Sequence, residues 1–153
     1  MNKGVTASEM TEAGQKVMQA GIKLSAMILL GAGGLALSEQ HALNTAKVVS
    51  AIQPTMLSAL TLMLHEGTEL RELADQEKFT MLTASQLMME LALMLEHITV
   101  TSPCIFRSNH ISNLLPLAGN LPEDKEKLLA AAKQMIEQFK NKTMPKYNDV
   151  GSF

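Results

Sequence analysis

"TMLSALTLML", Thr55 to Leu64, admits two readings. Leu, Met and Ala are good helix formers, and by periodicity alone the run could be a buried helix. Its flanks argue otherwise. Pro54 stands directly before it and "HEGTE", His65 to Glu69, directly after it, so only the length of a strand remains. Read as a strand, the run sets the rhythm of the whole chain.

Working outward, the segments alternate. Upstream, Ser38 can cap a helix that carries Ala42, Ala46, Val49 and Ile52 on one face and stops at Pro54. Before it, "IKLSAMILLG" (Ile22–Gly31) is a mostly apolar run of strand length. The first helix starts at a capping box, Thr6-Ala7-Ser8-Glu9. Its predicted stripe is Met10, Ala13, Val17 and Ala20, and Gly21 supplies a left-handed stop. Downstream, Thr83-x-x-Gln86 is a second capping box, opening a helix with Leu87, Leu91, Met94, Leu95 and Ile98. "TVTSPCIF" (Thr99–Phe106) reads as a third strand that Pro103 makes an edge or an interrupted one. Pro122 suits the first position of a last helix bearing Leu128, Leu129, Ala132, Met135, Ile136 and Phe139.

The expected fold is therefore α/β, ordered α-β-α-β-α-β-α, with about three parallel strands joined by right-handed crossovers. It forms a single domain over residues 1–140, with a polar, fraying tail over 141–153. Such a sheet leaves edges with unpaired backbone groups, whereas a closed barrel takes about eight strands.

Composition narrows the function classes. Of 153 residues, 46% are hydrophobic and 18% charged, which excludes a disordered chain. Aromatic residues make up 3% and there are 12 Met, so Leu, Met and Ala must fill the interior. A formal charge of −2 favours neither nucleic acid nor an anionic membrane. The single cysteine, Cys104, excludes an internal disulfide and suits a buried structural thiol in a reducing compartment. The longest apolar run, "AMILLGAGGLAL", is too short for a membrane span, and the opening residues lack a secretory h-region. A cytoplasmic protein is expected.

Four stretches, in order, resemble the C-terminal half of radical S-adenosylmethionine oxidoreductases. They are "MTEAGQKVMQAGIKLSAMILLGAGG" (Met10–Gly34), "EQHALNTAKVVSAIQP" (Glu39–Pro54), "LTLMLHEGTEL" (Leu60–Leu70) and "VTSPCIFRSNHISNLLPLAGNLPEDKEKLL" (Val100–Leu129). The resemblance implies a partial (β/α) barrel, like a fragment of a TIM barrel, and a family chemistry in which a 4Fe-4S cluster cleaves S-adenosylmethionine reductively. It implies adenosine-side contacts at Leu29, Gly31, Gly33 and Gly34, and substrate-side contacts at Arg107, Asn109, His110 and Asn113. It does not bring the cluster: the CxxxCxxC motif of the family is not in this sequence, which has only Cys104.

Other positions depart from the family. Against its GxIxGxxE pattern, Met27 stands at the first Gly, Leu29 at the Ile and Gly34 at the Glu. Ser58 and Leu60 stand where related second strands carry basic residues. Asn109 replaces an acid before the His, and Leu114 a Tyr. The expectation is a split or truncated radical S-adenosylmethionine oxidoreductase-like protein, not catalytic alone and binding no cofactor alone. Its partner would be a chain supplying the N-terminal half, or a second copy of itself. The alternatives are a non-enzymatic interaction or dimerisation module and, less favoured, a metal-dependent hydrolase using His65 and Glu66. The four histidines, at 41, 65, 97 and 110, show no HExxH or i,i+4 spacing for zinc.

Overall fold

Thr55–Leu64 supplies a strand, Met56–Thr61, with Leu57, Ala59 and Thr61 buried on one side. The computed structural model describes residues 4–110, 112–113 and 116–140, and of Lys140 the backbone alone. The expected tail, and Leu114, lie outside the described residues.

The elements are α1 (Ala7–Gln19), β1 (Ser25–Leu30), α2 (Gly34–Ile52), β2 (Met56–Thr61), α3 (Glu69–Asp75), α4 (Ala84–His97), β3 (Cys104–Arg107), β4 (Ala118–Leu121) and α5 (Lys125–Lys140). They build one open four-stranded sheet in the order β1-β2-β3-β4. β1 and β2 pair parallel with Met27 opposite Ser58, and β2 pairs parallel with β3, placing Ser58 opposite Arg107. β4 is antiparallel to β3, with Phe106 opposite Gly119.

The helix boundaries follow from local chemistry. Both capping boxes form: the Thr6 and Thr83 hydroxyls accept from the Glu9 and Gln86 N–H, and those side chains return to the cap N–H. Gly21 has φ +74°, and the N–H groups of Gly21 and Ile22 donate to the carbonyls of Met18 and Val17, closing α1 in a left-handed turn. α2 ends where Gln53 turns left-handed at φ 57°, just before Pro54.

Alternate strand residues Ile28, Leu30, Leu57, Ala59, Cys104 and Phe106 point to one side. There they meet Ala42, Ala46 and Val49 of α2, Leu87, Leu91, Met94 and Leu95 of α4, and Leu128 and Ala132 of α5. The Met-rich stretch of α4 is thus a packing face, with Met88 and Met94 buried and Met89 outside. The opposite side of the sheet carries Ser25, Met27 and Leu29 of β1, Met56, Ser58 and Leu60 of β2, and Ile105 and Arg107 of β3. All are half-buried or exposed.

Several expectations need correction. The sheet has a fourth, antiparallel strand, because "LAGNL" follows its loop closely enough to return along β3. β3 begins only after Pro103 and lies between two neighbours, so it is short rather than an edge. "HEGTE" leads into the short α3, with Thr68 as its cap. α2 begins at Gly34, its second N–H (Leu35) satisfied by the Thr80 carbonyl, so Ser38 lies inside the helix and does not cap it. α5 begins at Lys125, after a turn in which Asp124 accepts from the Asn120 N–H, so Pro122 is not its first residue.

The stripe expected on α1 is also displaced. Met10 and Ala13 are exposed and Gly14 is the buried residue, because α1 rests on the end of α2. Gln15 donates to the Ala51 carbonyl, and a methyl at Gly14 would stand 2.8 Å from the Ile52 side chain.

Two outcomes test this packing. Gly14→Ala should loosen α1, lowering stability by about 1–3 kcal/mol and speeding amide exchange in α1 more than in α4. Burial pushes the Cys104 thiol above its usual range, so the fold favours the neutral form. A group raised in this way stabilises fully below its unfolded value, and that contribution is lost as pH rises through the folded one. Urea midpoints should therefore fall above pH of about 8.5, and less so in Cys104→Ala.

Candidate functional site at the carboxyl end of the sheet

Parallel strands present their carboxyl ends together, and in α/β folds polar groups that act on ligands collect there. Here the ends of β1, β2 and β3 meet two polar networks, and both begin from backbone groups that need partners.

The first centres on Glu90 of α4, whose side chain is fully buried. One carboxylate oxygen accepts from the Gly31 N–H at 2.7 Å and lies 3.3 Å from His41 Nδ1. The other accepts from the Ser38 hydroxyl. A buried carboxylate is tolerable only with its lone pairs satisfied, and here the glycine turn after β1 and two residues of α2 satisfy them. Glu90 therefore ties β1, α2 and α4 together. With Nδ1 turned to a carboxylate, His41 keeps Nε2 as its remaining polar atom.

The second network extends β2 beyond the reach of β3. β3 pairs with β2 only as far as Ser58. Past that point the Asn113 amide donates to the Ala59 carbonyl at 2.7 Å and accepts from the Thr61 hydroxyl at 2.9 Å. The Thr61 N–H donates to the Ser112 hydroxyl at 3.2 Å. His110 Nδ1 is 2.8 Å from that hydroxyl and accepts from the Ser112 N–H. Side chains thus take over where strand backbone ends, since a buried backbone group left unpaired is costly. This explains why "RSNHISN" is so rich in short polar residues.

The structure brings three of the four substrate-side residues to one region and gives them internal partners. Asn113 and His110 hold the turn just described. Arg107 Nη1 donates to the Phe106 carbonyl at 2.7 Å and reaches the Gly119 carbonyl at 3.4 Å, while the residue lies on the uncovered side of the sheet. Asn109 is exposed. Ser108 is 1% exposed, and its hydroxyl has no partner among the described residues. His65 and Glu66 are exposed in the loop after β2, where the His65 carbonyl accepts from Thr68.

The adenosine-side residues surround the turn after β1, but their close approaches are taken by the chain itself. A methyl at Gly34 would meet the Phe79 ring at 2.8 Å and the Thr80 carbonyl at 3.1 Å. At Gly33 it would meet the Leu37 carbonyl at 2.9 Å and His41 at 3.1 Å, and at Gly31 the Leu87 side chain at 3.2 Å. Leu29 is half-buried on the uncovered side. These glycines make room for protein, and Gly31 and Gly34 also hold φ of +80° and +58°. The cluster chemistry of the family does not fit this chain alone either: a thiolate-held cluster takes several cysteines, and Cys104 is buried in β3 against the helices. Comparisons with protein-family models, curated proteins and solved structures gave no match.

Sequence reasoning missed Glu90 and His41. Glu90 sits in "LMMELALMLEH" among apolar residues, and a lone acid on the buried face of an amphipathic helix was the available signal. Glu90→Ala should cost about 2–5 kcal/mol, because the Gly31 N–H and Ser38 hydroxyl lose their acceptor. Glu90→Gln keeps one acceptor oxygen and should cost about 1–2 kcal/mol by urea unfolding.

Proposed function

We propose that this chain is the C-terminal part of a singly wound α/β shell of the radical S-adenosylmethionine type, inactive alone. A second polypeptide segment carrying the cluster cysteines would complete it. The observation that supports this most is the one-sided sheet. β1, β2 and β3 follow one another in space as in sequence, and among the described residues the core lies on one side only. Right-handed crossovers that always step the same way put every helix on the same face. That is how a (β/α) barrel is wound, and the uncovered row of Met27, Ser58 and Arg107 would then belong to its interior. In a doubly wound sheet helices would cover both faces.

In this reading the chain contributes shape and packing. Leu29, Gly31, Gly33 and Gly34 border the adenosine side through the turn they form, while Arg107, Asn109, His110 and Asn113 border the substrate side. S-adenosylmethionine and the 4Fe-4S cluster would be held by the completing segment, and radical formation belongs to that segment.

A second reading, a non-catalytic interaction module, is favoured by a different observation. The polar groups at the carboxyl end are largely satisfied by the chain's own backbone, and its glycines pack against its own side chains. Such a site is built for stability more than for a ligand.

Anaerobic reconstitution with iron and sulfide separates the possibilities. The chain alone should stay colourless, whereas co-expression with a segment bearing CxxxCxxC should yield a co-purifying brown complex with the absorption of a 4Fe-4S cluster. A stable brown species from the isolated chain would refute the half-shell reading. A colourless chain that still recruits a protein without cluster cysteines would favour the interaction module.

A further inference from the structure

β1 is the open edge of the sheet, and it lacks the devices that usually protect one. The Leu24 carbonyl and the Leu30 carbonyl accept from Met56 and Leu62 of the neighbouring strand. In a parallel ladder both backbone groups of a residue face the same way, so the even-numbered residues serve β2. Ser25, Met27 and Leu29 then direct their N–H and C=O groups outward, away from every other strand of the sheet. No charge, proline or bulge interrupts Ser25–Leu30, and Met27 is 75% exposed.

Behind this edge runs a groove of about 510 Å3 between β1, α1 and α2, lined by Val5, Met10, Met27, Leu37, His41 and Val48 among others. Its walls include apolar side chains left exposed among the described residues: Val5 at 53%, Met10 at 44% and Leu37 at 55%. The position of α1 explains the gap. α1 leads directly into β1 and packs on α2, with Gly14 against Ile52, as a crossover helix does. A crossover helix ordinarily covers two parallel strands, the one it leaves and the one it enters. Among the described residues α1 enters β1 but leaves no strand.

We infer that the groove is a docking site for one β-strand of a second polypeptide segment, aligned parallel to β1 and apolar at every second residue. The inference rests on the half-shell reading and names the surface and the chemistry of what completes it. The direction follows from α1: a strand that feeds a right-handed crossover into β1 must run alongside β1 in the same sense. Its carboxyl end then lies beside the Gly31–Gly34 turn, near His41. Glu90 engages Nδ1 of that imidazole, so Nε2 is left to hydrogen-bond a polar side chain at the end of the strand. A second copy of this chain is a poorer occupant, since two β1 edges brought together by a two-fold axis would pair antiparallel and leave α1 as it is.

The test completes the unit within one molecule. A strand of alternating Val and Thr, followed by a short Gly-Ser linker, is fused ahead of Met1 of the full chain. A polar Ser/Gly extension of equal length serves as control. Amide hydrogen exchange at Met27 and Leu29 is the readout, because those N–H groups face the open edge. The Val/Thr strand should slow their exchange by about tenfold or more while the control leaves them fast. Met27→Pro removes the outward N–H without touching the β2 ladder, so it should keep the fold and abolish the protection at Leu29. Should Met27→Pro fail to fold, the exchange contrast between the two extensions decides alone. Unchanged exchange at both amides under the Val/Thr strand overturns the inference. So does an unextended protein that is already a dimer with both amides protected, because the occupant is then a second copy. Protection by the tethered strand, with no cluster formed beside any cysteine-bearing segment, would sustain the docking site and sink the half-shell reading instead.

Discussion

The structure depends on a single topological constraint: three consecutive strands run parallel and each crossover steps in the same direction. Right-handedness then allows the helices only one face. The apolar alternate residues of the strands, from Ile28 to Phe106, must all be buried there, and the core forms against α2, α4 and α5. The other alternate set is left half-buried or exposed, because no element in the described chain crosses that side. Met27 and Arg107 stand in one row of the sheet for this reason, although 80 positions separate them in sequence.

Polar chemistry follows the same geometry. A parallel sheet ends with its backbone groups aimed at whatever lies beyond the strands' carboxyl termini. After β1 the Gly31 N–H finds Glu90, and after Ser58 the exposed rung of β2 finds Ser112 and Asn113. Both solutions import a side chain from far along the chain. The carboxylate network is the more demanding, since an acid with no exposed atoms needs every donor it has. It also sets the orientation of the one imidazole that borders the groove.

The proposed larger assembly rests on three features of the described residues: the one-sided core, the unguarded edge of β1, and the groove left open beside β1 where α1 seats on α2. They are independent in origin. The first comes from winding, the second from the composition of Ser25–Leu30, and the third from the seat of Gly14 on Ile52. The glycine turn does not strengthen the case for a bound adenosine, since Phe79, Leu87 and His41 already fill the space its glycines create.

From residue order alone one could read the α/β alternation, both capping boxes, the stop at Gly21, the strand after Pro54 and the buried faces of α2 and α5. These are written in spacing, and spacing acts over a few residues. The antiparallel β4 escaped it because four residues of "AGNL" carry no β-strand pattern until β3 is beside them. The exposed Met10 and the buried Gly14 escaped it because hydrophobicity ranks them the wrong way round, and only the seat on Ile52 reverses the order. Glu90 and His41, 49 positions apart, became a pair through the close packing of α2 and α4. Contacts of that kind belong to three-dimensional packing, where a carboxylate is placed by the donors around it and not by its neighbours in the chain.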